Sequence, residues 1–386
     1  MIKNITSWPL FSNSVRVFFP LAAFIAVLIP MYTVVVTVNG YPFRTPHLSL
    51  FEWHGHQMIF NFLYTLVLGF ILTAGAHWTK KEPIQGTALI ILLVLWLAEQ
   101  VALLSFENKS LLLFSSFLLS GYFLWLLTNL LWSYPKKWIF ITIVGLLSIC
   151  KLLFVYGASH RGFWYKDQLY EVGAGLFALL AAIIGGRVIP NFTKNFFKLS
   201  QNLGAPDLLI KTSLFATTLI IFTSFIPFKS VNIFIYFMAG ISNLIKILYW
   251  KPLMAIKKPI IGMLHIGYLS LSLSFIIKGL TYFYEPLNFT KANLHLILAG
   301  GVSILALNIM LRATLGHTGR KIEMSKTIAT MFMAISIGAI IRFIIPVFWP
   351  HLFIQSLHHS MGFWTLAFLI YLIKFIPIVI KPRVQS

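Results

Sequence analysis

The sequence predicts an all-α, polytopic membrane helix bundle of about twelve transmembrane helices with both termini cytoplasmic. Three observations predict it. Of 386 residues, 59% are hydrophobic and 10% charged, with a mean hydropathy of +0.86, too apolar to wet the surface of a soluble fold. Apolar runs of about 18 or more residues recur between Pro, Gly and charged clusters, long enough to cross a hydrocarbon core of roughly 30 Å. These runs are continuous, whereas barrel strands alternate apolar and polar residues over about ten positions.

The breaks place spans near 17–38, 56–77, 86–105, 110–132, 138–157, 168–188, 209–226, 231–250, 260–283, 292–313, 327–349 and 359–380. Alternate connections carry fifteen against six Lys and Arg, the richer set including Lys80, Lys136, Lys194, Lys257, Arg320 and Arg383. By the positive-inside rule the richer side is cytoplasmic. The formal charge of +21 is therefore a matter of topology, not a nucleic-acid footprint. Residues 1–16 lack a small-residue cleavage site and are expected to remain as a cytoplasmic tail. Connections are short, so the chain is expected to form one membrane domain. No internal repeat is evident, and Pro30, Pro227 and Pro346 interrupt spans at unmatched positions. The lone Cys150 can form no intrachain disulfide and reads as a small buried apolar residue.

Two spans carry histidine at both ends. One runs from His54-Gly55-His56 to His77, the other from His295 to His317. The 21 and 22 steps from His56 to His77 and from His295 to His317 are each about 30 Å of helix, a bilayer core. Imidazole is costly in lipid, so its placement suggests metal or haem ligation or proton handling. Eight of the eleven histidines, including His47, His54, His56, His160, His295, His351, His358 and His359, fall on the outer side; His77, His265 and His317 fall on the inner side. Both histidine-ended spans run outside to inside. As neighbours they would bring His54 or His56 to His295 and His77 to His317.

On a helix, residues two apart diverge by about 200°, while in an extended stretch they face one way. His54 and His56 thus either chelate one copper-like ion ahead of the helix or face separate sites. Of His358 and His359, His359 is the one expected to point inward. His47 and His351 are expected to be solvated, His160 and His265 structural. Neutral imidazole suits haem iron, copper and zinc, and no span shows the acid-plus-histidine pattern of di-iron bundles. On ligand type, non-covalent haem b, with or without copper, fits best.

An inner cluster comprises Gly185-Gly186-Arg187 at the end of the sixth span, with Arg312 and Arg320 flanking His317. With His77 and Asn308 these suggest a polar pocket, since arginine pairs bidentately with carboxylates, haem propionates among them. Asn308 and Arg312, four apart, share a helix face. Glu99, Glu171, Lys278 and Arg342 lie within spans, where ionisable groups are functional candidates; the two glutamates could neutralise an arginine or carry protons.

Three tracts carry a family resemblance: Trp53-His54-Gly55-His56-Gln57-Met58 through to His77-Trp78-Thr79, Gly185-Gly186-Arg187-Val188-Ile189-Pro190-Asn191-Phe192-Thr193, and Arg312-Ala313-Thr314-Leu315-Gly316-His317-Thr318-Gly319-Arg320. In this order they resemble the NnrS membrane proteins over nearly the whole chain. The resemblance implies a multi-pass protein of the bacterial cytoplasmic membrane that contains haem and copper. It also implies a link to nitric oxide metabolism and protection against nitrosative stress, without a settled reaction. The family motif usually reads Trp-His-Ala-His-Glu-Met; Gly55 and Gln57 depart from it, removing an acid that could support a histidine ligand.

The leading expectation is a haem- and copper-binding protein, acting on nitric oxide or an iron–nitrosyl species, with quinol as a possible electron donor. His54, His56 and His295 would be the metal ligands, with His359 also near the cofactor. His77, His317, Arg187 and Arg320 would shape an inner polar site. A proton-coupled transporter of a small anion and a quinol-linked, cytochrome b-like electron carrier are the alternatives.

Overall fold

A computed structural model describes residues 5–43, 48–105, 109–158, 165–283 and 289–384. The fold is all-α, with no strand among the described residues. Its main helices are α1 (Ser14–Asn39), α2 (Leu50–Thr79), α3 (Thr87–Ser105), α4 (Lys109–Leu131), α5 (Lys137–Ala158), α6 (Lys166–Phe196), α7 (Asp207–Ile220), α8 (Lys229–Tyr249), α9 (Pro259–Thr281), α10 (289–317), α11 (Lys326–Phe348) and α12 (Phe353–Val379). Ten are long and apolar enough to cross a membrane. The spans expected at 86–105 and 209–226 are shorter: α3 offers the apolar stretch Thr87–Leu103, and α7 covers fourteen residues.

Local chemistry sets the helix ends. Asn13 accepts from the Val15 amide at 3.2 Å to open α1, and Gly40 closes it in a left-handed turn. Ser49 and Glu52 form a reciprocal capping box at the start of α2. Ser325 caps α11 through the Ile328 amide. Pro30 and Pro346, expected to break or end spans, lie inside α1 and α11.

The chain divides into two compact units. The first comprises Met1–Tyr170, Met310–Ile322 and Tyr371–Ser386; the second comprises Glu171–Ile309 and Glu323–Ile370. In the first, α1 packs on α2 where Gly69 lets the Phe18 and Phe19 side chains approach. In the second, α9 is the central partner. A Cβ at Gly240 of α8 would meet the Ile276 amide at 3.0 Å, and one at Gly301 of α10 would meet Leu271 Cα at 3.0 Å. Small residues at these crossings let backbones approach where lipid supplies no hydrophobic drive between helices. Ile235, Tyr236, Ala239, Leu271 and Phe275 fill the space between α8 and α9.

The structure does reveal a repeat that the residue pattern hides. In α2, a seven-residue helical segment (Leu50–His56) ends on histidine, a seven-residue π-helix (Gln57–Leu63) follows, and a sixteen-residue segment (Tyr64–Thr79) completes the span. In α10 the segments are Phe289–His295, Leu296–Val302 and Ser303–His317. Leu50 to Phe289, His56 to His295 and Leu63 to Val302 are each 239 residues, as is the start of α3 to the start of α11. The three family-like tracts also end alike. Thr79, Thr193 and Thr318 each donate to the carbonyl four residues back, on Gly75 at 2.8 Å, Ile189 at 2.8 Å and Thr314 at 2.7 Å. The expectation of no repeat failed because most side chains differ between the copies, whereas helix interruptions and caps persist.

Candidate functional site

Every expected residue on α2 lies in the first unit. The helix starts at Leu50, so His54 and His56 are both helical and the extended, shared chelate does not form. The side chains go separate ways, as the 200° divergence demands. His54, half-buried, meets Thr33 of α1, with Nδ1 3.1 Å from the hydroxyl.

His56 is 1% exposed. Both of its ring nitrogens are buried and without a hydrogen-bond partner. Around it stand aromatic rings: Phe154 at 5.1 Å and Phe60 at 5.9 Å between centroids, with Tyr170 stacked behind them, 5.1 Å from Phe154. The Tyr170 hydroxyl donates to the Glu52 carbonyl at 2.7 Å, and Glu52 pairs with Lys166. A Cβ at position 55 would lie 2.8 Å from Tyr170 Cζ, so Gly55 makes room for this ring. The π-helix begins at Gln57, directly after His56, a feature that recurs at functional sites.

From His56 inward, α2 presents a polar ladder. The Asn61 amide donates to Gln57 and to Gln100, both at 2.6 Å, and Trp96 donates to Thr65 at 2.8 Å. Gln57 thus joins a neutral amide chain. Beyond it, Glu99 pairs with Lys151 at 2.6 Å, each 1% exposed, and accepts from Ser116 at 2.6 Å. The Lys151 ammonium also lies 4.7 Å from the centre of the Tyr64 ring. Glu99 was legible as a buried acid; Lys151, inside an apolar run, was missed.

In the second unit, His295 ends the first segment of α10 and is half-buried. Asn293, two residues earlier, is 1% exposed, and neither polar atom of its side chain has a partner. Glu171 pairs with Lys278 at 3.0 Å. A second lysine escaped sequence reasoning altogether. Lys246 is 2% exposed and donates to Tyr268 at 2.8 Å, Ser213 at 2.9 Å and Asn243 at 3.2 Å. Those three acceptors match the three N–H donors of an ammonium group. The Gly185-Gly186 tract packs beside this cage: a Cβ at 185 would lie 2.8 Å from the Tyr268 ring, and one at 186 would lie 3.7 Å from Lys246 Nζ. That close approach is a physical reason for the paired glycines.

His265 bridges the Ile261 and Trp250 carbonyls at 3.2 and 3.3 Å, the structural role expected of it. His358 and His359 are both exposed, so His359 does not turn inward as expected; its position on the helix places it on the outer surface. His351 is exposed, and His47 and His160 lie outside the described residues. Arg187 is exposed on α6, in the second unit. His77, His317 and Arg320 belong to the first unit. His77 and His317 are exposed and within electrostatic reach of each other, joined there by Arg16 and Arg383.

A family model described as "NnrS protein" matches residues 9–383. The chain belongs to the NnrS family. No curated protein matches it. The two cofactors that NnrS resemblance implies make different demands on these residues. A histidine-held haem would need an imidazole with a free ring nitrogen and apolar, aromatic walls. His56, orphaned among Phe60, Phe154 and Tyr170, fits such a demand. A copper cage needs several converging donors, and among the described residues no group of three His, Cys, Asp or Glu side chains converges to hold a metal ion.

Proposed function

We propose that this NnrS protein is a haem-binding protein of the bacterial cytoplasmic membrane, with His56 as an iron ligand, that binds or transforms nitric oxide or an iron–nitrosyl species. One observation carries the reading: a fully buried imidazole with both nitrogens unpartnered. A buried polar group without a partner costs about 1–3 kcal/mol, and a bound group that uses the imidazole lone pair removes that cost at one nitrogen. Haem would supply an iron centre with affinity for nitric oxide. Phe60, Phe154 and Tyr170 supply the apolar walls and exclude water. Gln57 and Asn61 present only neutral dipoles next to the site, and the buried Lys151, paired with Glu99, is within electrostatic reach of His56. Nitric oxide is small and uncharged and partitions into lipid, so it reaches a site at membrane depth without a polar channel.

Lys246 favours a second reading. A buried lysine held by neutral acceptors inside a membrane helix is a group through which a transporter could couple a proton to an anion. This reading predicts colourless protein and solute flux in liposomes that Lys246→Met abolishes.

The visible spectrum and metal content of protein purified under haem-replete conditions separate the two. The haem reading expects a Soret band that shifts on adding nitric oxide. A colourless, iron-free and copper-free preparation would overturn it.

A further inference from the structure

Four chain segments meet at one end of the first unit. Arg16, in the first turn of α1, is 2% exposed. It donates to the Val379 carbonyl at 3.0 Å and the Lys381 carbonyl at 2.8 Å, just past α12, and to the His317 carbonyl at 3.5 Å at the end of α10. Its Nε is buried without a partner. Arg320, half-buried, donates to the Thr318 carbonyl at 3.1 Å. The chain after α12 returns to the same turn: the Val384 amide donates to that carbonyl at 3.0 Å. Gly319 permits this crossing, with φ of 72° and no room for a Cβ beneath the Val384 carbonyl. The strap sets Arg383 beside the turn, with Cγ 3.2 Å from where a Cβ on Gly319 would stand. His77, at the end of α2, lies within electrostatic reach of His317.

Three guanidiniums thus gather at one turn, two exposed imidazoles are within electrostatic reach, and Arg16 lies within electrostatic reach of both Arg320 and Arg383. Among the described residues no ion pair joins any of these arginines to a carboxylate. Capping of the α12 C-terminus accounts for Arg16 alone. It does not account for two further arginines gathered against their mutual repulsion. An anion would offset that repulsion, and guanidinium forks match the paired oxygens of phosphate. We propose that the Arg16, Arg320, Arg383, His77 and His317 cluster is a binding site for a phosphate-class oxyanion, either a lipid headgroup phosphate or free phosphate. Arg16, its Nη groups committed to carbonyls, positions the site; Arg320, Arg383 and the imidazoles contact the ligand. The site stands independently of any haem at His56, since His56 and His77 are about 30 Å apart along α2.

The test uses the full chain in maltoside micelles, which contain no phosphate. One arm titrates inorganic phosphate, the other phosphatidylglycerol doped into the micelles. Saturable binding is expected in one arm, which names the source. Arg320→Gln with Arg383→Gln should weaken it at least tenfold. Gly319→Ala, which keeps every charge but displaces the strap, should also weaken it. Lys257→Gln with Lys258→Gln, removing equal charge elsewhere, should leave it unchanged. Should the double arginine variant not fold, Arg383→Gln alone, on an exposed residue, is read the same way. Absence of saturable binding in both arms, wild-type affinity in the arginine variant, or an equal loss in the lysine control would each overturn the proposal.

Discussion

The two π-interrupted spans share a plan but differ in what they bury. In α2 the residue that closes the first helical segment is His56, fully buried with both nitrogens unpartnered. Its counterpart 239 residues on, His295, is half-buried. In the first segment of α10 the buried side chain with both polar atoms unpartnered is instead Asn293, which corresponds to His54. The repeated architecture therefore places an unsatisfied polar side chain at the same turn of both spans but with different chemistry. An imidazole suits haem iron, whereas a neutral amide offers hydrogen bonds or a hard carbonyl oxygen. The surroundings diverge too. The interior next to α2 holds a tight Glu99–Lys151 pair, while the second unit holds Lys246 among neutral oxygens. Shared geometry fixes where polarity sits, and residue identity decides what it can do.

Breaking the ion pair beside α2 should give the largest effect. Glu99→Gln leaves Lys151 buried and uncompensated and should cost about 3–5 kcal/mol, read as a fall in thermal stability in detergent. Adding Lys151→Met should restore most of it. Equal stability of the single and double variants would show that the pair is not what stabilises this interior. Next, Gly301→Ala in α10 pushes a methyl against the Leu271 backbone, which cannot swing aside, and should cost about 1–3 kcal/mol. Gly55→Ala in α2 meets only the tip of the Tyr170 side chain and should cost less. The reverse order would mean that α2, not α10, is the more tightly packed span. The smallest effect is expected for Asn293→Leu. An amide with no partner contributes no hydrogen bond, so stability should stay level or rise slightly. A clear loss would mean Asn293 has a ligand of its own.

The fold class was legible because apolar length and continuity follow directly from what a bilayer demands. The histidine-ended spans were legible for the same reason, and His77 lies within electrostatic reach of His317. The π-helices were not, because Gln57–Leu63 and Leu296–Val302 carry no residue that enforces them. Nor was the repeat, since it survives in spacing and not in side chains. Lys151 and Lys246 were hidden in apolar runs, their partners distant in sequence by 52 residues to Glu99 and 33 to Ser213. Arg16 was passed over because its partners, Val379 and Lys381, come from the far end of the chain. His359 was misplaced because neither member of the pair faces in: His358 and His359 are both exposed on α12.

The central claim is that His56, and not His54 beside it, holds haem iron. The direct measurement is the Soret absorbance per protein of His56→Ala and His54→Ala, each purified from haem-replete cells alongside the wild type. The account predicts that His56→Ala loses the band while His54→Ala keeps it. A Soret band of wild-type intensity and position in His56→Ala would contradict it.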